Sequence, residues 1–162
     1  MNKEYEYSFK VKDTKDFIQY CINNNYEKKE EYNQIRTLYK NNGPIMARIT
    51  QNIYDSKIIK KLNFKGDNLN NNELKISRET KDLIITKENE EFVNSLIEIL
   101  ELTNKKTLKR KRYIYEKNNI KFEIDEYTSP KMNVVAIEGL KEEVDEVYNE
   151  LTQIINKNKV IE

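Results

Sequence analysis

The chain has no histidine, no tryptophan and one cysteine. Without imidazole, Ser-His-Asp and Cys-His catalysis are excluded, as are the HExxH proteases and most zinc enzymes. Cys21 alone can build neither a disulfide framework nor a Cys-based zinc site, and it falls on the apolar face of a helical segment, where it reads as core. Three glycines and two prolines leave no basis for a collagen-like or proline-rich architecture. A charge excess is also missing. The 29 basic and 28 acidic residues sum to +1, which disfavours a generic nucleic-acid binder with a strong overall field but not a basic groove inside a neutral total. No segment approaches the ~18 apolar residues of a membrane span, and MNKEYEYSFKVK lacks a signal peptide's apolar stretch. The expected location is cytoplasmic, with no membrane partner. Any proton transfer must therefore use Lys, Tyr, Asp, Glu or metal-bound water. Any metal site must be made of carboxylates, which suit hard cations such as Mg²⁺, Mn²⁺ or Ca²⁺.

What is present is patterned. Hydrophobic residues make up 37% and charged residues 35%, with 11 Tyr and 5 Phe. A chain of 162 residues fits a single domain over 1–162 and can bury about 68–70% of its unfolded surface. Residues 4–11 alternate Tyr5, Tyr7, Phe9 and Val11 against Glu4, Glu6, Ser8 and Lys10, which predicts a strand. Asp13 or Thr14 then caps a helix carrying Phe17, Ile18, Cys21 and Ile22. Strands follow at 32–40, 45–50, 60–66 and 74–79, with a turn at 41–44 and a loop at 67–72. Thr86 caps a second helix whose stripe is Phe92, Val93, Leu96, Ile97, Ile99 and Leu100. Strands at 107–116, 121–127 and 133–140 come next, the first two joined through Asn118-Asn119. A C-terminal helix buries Val144, Val147, Tyr148, Leu151, Ile154 and Ile155, and 156–162 are expected to fray. This is an α+β chain with about eight strands, antiparallel where hairpins join them.

The polar faces of these strands are unusual. Glu4 and Glu6 share a face, as do Arg110 and Arg112, and Glu123 and Asp125; Arg48, Lys65, Arg78 and Glu138 stand singly. If the strands close into a barrel, one set of side chains points inward, and the aromatic set packs under helices. Tyr113, Tyr115 and Tyr127 read as packing residues rather than base-stacking ones. An interior with cations on some walls and carboxylates on others suits a polyphosphate carried with a divalent cation. The basic run 105–112 makes a poor nucleic-acid patch, since half its charges alternate to the other face of a strand.

The ordered series EYEYSF, RIT (48–50), LNFKG (62–66), SRE (77–79), RKRY (110–113), FEID (122–125) and VAIEG (135–139) resembles the CYTH superfamily, the triphosphate tunnel metalloenzymes. The resemblance implies an eight-stranded antiparallel β-barrel, the triphosphate tunnel, flanked by helices. It implies Glu4, Glu6, Glu138 and Asp125 as ligands of Mg²⁺ or Mn²⁺, with Glu79 as a further candidate. It implies Arg48, Lys65, Arg78, Arg110 and Arg112 as the grip on a triphosphate, whether nucleotide, thiamine triphosphate or tripolyphosphate. Glu6 and Lys10 are the catalytic candidates, because Ser8 replaces the family's signature lysine and Lys10 lies one pleat further on the same face. Ala136 stands where many relatives carry a second glutamate. The implied function is a metal-dependent triphosphatase that hydrolyses the terminal phosphate. The alternative, favoured by Ser8, is a non-catalytic nucleotide- or polyphosphate-binding protein on the same fold. An adenylate cyclase ranks behind both.

Overall fold

The computed structural model describes residues 2–71 and 74–160, with the side chains of residues 2, 3, 67–71 and 75–77 left out of the description. The elements, in order, are β1 (Asn2–Val11), α1 (Lys15–Asn23), β2 (Glu27–Lys40), β3 (Met46–Ile53), β4 (Ile58–Asn71), β5 (Leu74–Glu79), β6 (Leu83–Ile84), α2 (Glu90–Ile99), β7 (Asn104–Lys117), β8 (Ile120–Ser129), β9 (Lys131–Gly139), α3 (Lys141–Glu150) and α4 (Thr152–Asn158). All pairings are antiparallel. The sheet runs β3-β2-β7-β8-β9-β1-β5-β4-β6, and β3 also pairs with β4. That extra pairing joins eight strands into a closed curl, and the two-residue β6 lies beside β4. The sequence-derived α+β fold with eight antiparallel strands and flanking helices is therefore what the chain forms.

Alternation along the strands sorts side chains to the two sides of the curl. The outer face of β1, β7, β8 and β9 contributes Phe9, Val11, Tyr115, Phe122, Ile124, Val135 and Ile137 to a core closed by Phe17 and Cys21 of α1, Val144 of α3, and Leu151 and Ile155. Tyr7 stacks on Tyr148 at 4.0 Å between centroids, and its hydroxyl donates to Asp145 at 2.7 Å. A smaller core lies under α2, where Val93 and Ile97 meet Ala47, Ile49 and Leu62 of β3 and β4. Among the described residues, no helix is long and apolar enough to cross a membrane.

Several local expectations are corrected. Asn-rich residues 67–71 belong to β4, because backbone pairing of Asn68 through Asn71 with β5 does not depend on apolar side chains; residue 72 of the expected loop lies outside the described residues. Helix α2 starts at Glu90 with Asn89 as N-cap, rather than directly after Thr86. Its contact with the sheet is narrow: Val93 and Ile97, one turn apart, are buried against β3, β4 and Tyr39 of β2, while Phe92, Ile99 and Leu100 are exposed. Ile22 of α1 is exposed for the same reason of narrow contact. The Asp13 carboxylate takes the Lys15 N–H at 2.8 Å, while Thr14, the N-cap residue, makes no side-chain cap. The C-terminal segment does not fray as expected over 156–160. Helix α4 runs to Asn158, whose carbonyl accepts the Lys12 N–H at 2.8 Å, and Lys159 bridges Val11. Residues 161–162 lie outside the description. The Asn118-Asn119 hairpin is present, with Asn118 at φ 54°, a left-handed conformation that Asn tolerates.

Candidate functional site: a charged lumen

The inward faces of the eight strands enclose a cavity of about 540 Å³, open to solvent, with an adjoining space of about 210 Å³ that shares Arg36, Arg112, Lys121 and Glu123 with it. Pleat and register set its lining. Glu4, Glu6 and Ser8 alternate inward on β1; opposite them on β9, Glu138 faces Glu6 and Ala136 faces Ser8. Next on β8, Lys121 pairs with Glu138, Glu123 with Ala136 and Asp125 with Val134. Arg112 and Arg110 of β7, Arg36 of β2 and Arg48 of β3 complete the basic wall.

These charges are unequally committed. Arg112 is buried and fully engaged. Its Nε and Nη2 donate to the two oxygens of Asp125 at 2.7 and 2.8 Å, and its Nη1 donates to Glu123. Burial opposes its charge, but Glu123 and Asp125 outweigh that and hold it well above the usual arginine value. Arg48 donates to Glu79 at 2.6 Å and to Asn63 at 2.9 Å. Lys65 reaches the other Glu79 oxygen at 3.5 Å. Burial would raise Glu79, but Arg48 and Lys65 pull it below the usual range. Arg110 donates to Gln34 at 2.6 Å and to the Tyr127 hydroxyl, and its Nη1 lies 3.0 Å from Asp125. Among the described residues its Nη2 is buried without a hydrogen-bond partner, and so is Nε of Arg36. Burial and the neighbouring Arg110, Arg112 and Arg48 push Arg36 down to about 9. The basic wall thus holds two unfilled donors in a zone of excess positive charge.

The acidic side is crowded as well. Oxygens of Glu6, Glu123 and Glu138 lie within 4.8 Å of one another. Lys121 reaches Glu138 at 2.8 Å and Glu123 at 4.0 Å. Burial, then Glu123, push Glu138 up to about 10, while burial of Glu123 is overcome by Arg112 and by the hydrogen bond from Glu138, which hold it well below the usual range. A proton on Glu138 relieves this cluster. Three converging carboxylates, one of them pushed towards its protonated form by burial and by Glu123, form a donor set that fits a hard divalent cation.

The Glu138 shift has a measurable consequence. A carboxyl whose folded value lies near 10, against an ordinary 4.5, contributes stability that is complete below pH 4.5 and is lost as pH rises towards 10. The metal-free protein is therefore expected to lose about 1–3 kcal/mol between pH 6 and pH 8, a decline that Glu138→Gln should flatten. Chemical denaturation at several pH values in EDTA checks this; equal slopes for the two proteins would contradict it.

Of the residues singled out in the sequence, the fold brings Glu4, Glu6, Arg48, Lys65, Arg110, Arg112, Asp125 and Glu138 to one cavity. Asp125 lies apart from the three-carboxylate group, tied to Arg112 and Arg110. Two residues are not brought in. Lys10 is exposed and lies beyond the lining, four residues from Glu6, or roughly 13 Å along a strand. Arg78 neighbours the inward Glu79, so alternation turns it to the outer face, where it is exposed. Sequence reading missed Arg36, Lys121 and Gln34. Lys121 was accessible, being in phase with Glu123 and Asp125. Arg36 was not, because neither face of YNQIRTLYK is cleanly apolar and the strand's phase cannot be read.

No family model and no curated protein matches the chain. Solved structures do match it in fold. PH1012 from Pyrococcus horikoshii aligns over 94% of this chain and 88% of its own, with TM-score 0.71 and 16% identity. HpAC1 from Hippeastrum, a candidate adenylyl cyclase with a dominant triphosphatase activity, aligns over 95% and 87%, with TM-score 0.64 and 13% identity. A chain of the Schizosaccharomyces pombe Mediator head module aligns over 98% and 99%, with TM-score 0.66 and 9% identity. At these identities the likeness is one of fold.

Proposed function

We propose that the lumen binds a triphosphate together with a divalent cation and that the protein hydrolyses the terminal phosphoanhydride. The observation that carries this reading is the pair of buried, unfilled donors, Arg36 Nε and Arg110 Nη2, in a like-charged wall facing a carboxylate cluster. Buried polar groups are rarely left unpaired, and a multivalent anion fills both. The triphosphatase activity of the fold neighbour HpAC1 supports the same substrate class.

In this reading Arg36 and Arg110 hold phosphoryl oxygens, and Arg48, Lys65 and Lys121 add positive potential while remaining paired. Glu6, Glu123 and Glu138 would hold Mg²⁺ or Mn²⁺, which when bound supplies charge neutralisation at the phosphoryl oxygens. Positioned donors around the developing charge are the main source of acceleration in phosphoryl transfer. Glu6 is assigned to accept the proton of the attacking water. Ser8 lies in the lining but cannot supply an ammonium there, and this favours the second reading, a tunnel that binds without turnover; the Mediator chain shows the fold in an assembly subunit.

The test is phosphate release from tripolyphosphate, ATP, GTP and thiamine triphosphate with Mg²⁺ or Mn²⁺, beside thermal shift. Turnover abolished by Glu6→Gln is expected. A thermal shift without turnover would leave the binding reading, and neither signal with any compound would overturn both.

A further inference from the structure

The apolar surface of α2 is wider than the sheet beneath it covers. Val93 and Ile97 enter the core with Ala47, Ile49 and Leu62, but Phe92, Leu96, Ile99 and Leu100 belong to neither core. Phe92 is 66% exposed, Ile99 78% and the C-cap residue Leu100 40%. Their spacing of i, i+4, i+7 and i+8 puts these four in one stripe along the helix. Asn94 and Glu98 border a cleft with Tyr39 of β2 and Lys105 of β7. Both lie about half a turn round the helix from Leu96, so the stripe looks the other way, towards β4 and β6. Leu83 of β6 continues it. Leu83 pairs with Leu62, whose side chain lies under α2, so both face the same side of the sheet, and Leu83 is 44% exposed. The border of the stripe is acidic. Residues 87–101 hold five glutamates and one lysine. Glu90 is met by Lys60 at 3.4 Å, while Glu91, Glu98 and Glu101 form no ion pair among the described residues. Glu91 and Glu98 repeat at seven residues and run along the solvent side of the stripe.

We propose that this face docks a partner protein, and that the partner presents an amphipathic helix with apolar residues at i, i+4 and i+7 and with Lys or Arg along its borders. A contiguous stripe of exposed apolar side chains marks an interaction surface, and a stripe of this spacing is matched by a second helix laid along it. Charge decides the kind of partner. An isologous pairing of two copies would set Glu91 and Glu98 of one against the same residues of the other. An anionic membrane surface would repel the same carboxylates. Lys or Arg on the borders of a partner helix neutralises them and fixes its register. The surface lies on the outside of the curl, so the inference holds whether or not the lumen takes a triphosphate.

Fluorescence anisotropy of three labelled synthetic peptides titrated with the full chain tests this. Each has about 16 residues, long enough to form a helix on binding. The first carries leucine at i, i+4 and i+7 in each turn pair with lysine borders, the second the same leucines with glutamate borders, and the third the first peptide's composition in scrambled order. The lysine-bordered peptide is expected to bind about tenfold tighter than either of the others. Phe92→Ser and Ile99→Ser should each weaken it about tenfold, and Glu91→Lys with Glu98→Lys should reverse the preference between lysine and glutamate borders. Melting curves confirm that each variant folds, and Leu83→Ser serves if Phe92→Ser or Ile99→Ser does not. Equal binding of all three peptides, no binding of the lysine-bordered one at millimolar concentration, or binding that Ile99→Ser leaves unchanged would overturn the proposal. So would sedimentation as a dimer that Ile99→Ser dissociates, which gives the face to a second copy, or flotation with phosphatidylglycerol vesicles that Ile99→Ser abolishes, which gives it to a membrane.

Discussion

Replacing Arg112 with alanine is expected to cost about 3–5 kcal/mol of folding stability, one of the largest losses of any single substitution in the lumen. Arg112 is buried and neutralises two carboxylates, Asp125 through a two-point contact and Glu123 through Nη1. Removing the guanidinium leaves both buried beside one another with their main counter-charge gone, Asp125 keeping only Arg110 at 3.0 Å and Glu123 only Lys121 at 4.0 Å. Much of the loss is the penalty of those stranded charges, so adding Asp125→Asn and Glu123→Gln to Arg112→Ala should restore part of the stability. Urea denaturation of the wild type, the single variant and the triple variant provides the comparison. A loss below about 1 kcal/mol for the single variant would mean that the network is solvated and contributes as surface pairs do.

The second large effect has the opposite sign for stability. Arg36 has no partner at Nε and sits among Arg110, Arg112 and Arg48, which with burial push it down to about 9. Arg36→Gln removes a charge that the folded state tolerates poorly. The ligand-free protein should be as stable as the wild type or more stable, by about 1 kcal/mol. Affinity for tripolyphosphate with Mg²⁺ should fall roughly 10- to 150-fold, the range for losing a charge-assisted hydrogen bond of about 1.5–3 kcal/mol. Arg36 is thus expected to act on binding and Arg112 on stability. A fall in ligand-free stability with affinity unchanged would assign Arg36 to the scaffold.

The contrast between these two arginines marks how far the sequence could be read. Arg110 and Arg112 alternate with Tyr113 and Tyr115, and that alternation sufficed to place both guanidinium groups inside a curl of eight strands. It could not show that Arg112 would be consumed by Asp125 and Glu123, because cross-strand partners depend on register, and register is set by turns and bulges such as the one between Lys109 and Arg110. Adjacent charges in SRE posed a different difficulty. Only one of Arg78 and Glu79 can face inward, and the phase is set further back, where Leu74 and Ile76 alternate with Lys75 and Ser77 and so put Arg78 with the apolar set and Glu79 with the polar one. Lys10 shares the parity of Glu6 but lies where β1 leaves the lumen and meets the C-terminal segment through the Val160 N–H at 3.2 Å. Parity is a local property of sequence; depth along the tunnel is not. The stripe on α2 was misjudged in width for a comparable reason, since the area a helix buries is decided by how many strands lie beneath it.

The most direct measurement is a crystal structure of the protein grown with tripolyphosphate and Mn²⁺. Phosphoryl oxygens are expected within hydrogen-bond distance of Arg36 Nε and Arg110 Nη2, with an anomalous peak for manganese among Glu6, Glu123 and Glu138. Anion density confined to the outer lysines, with Arg36 Nε and Arg110 Nη2 still unfilled at saturating tripolyphosphate, would contradict the triphosphate-binding lumen.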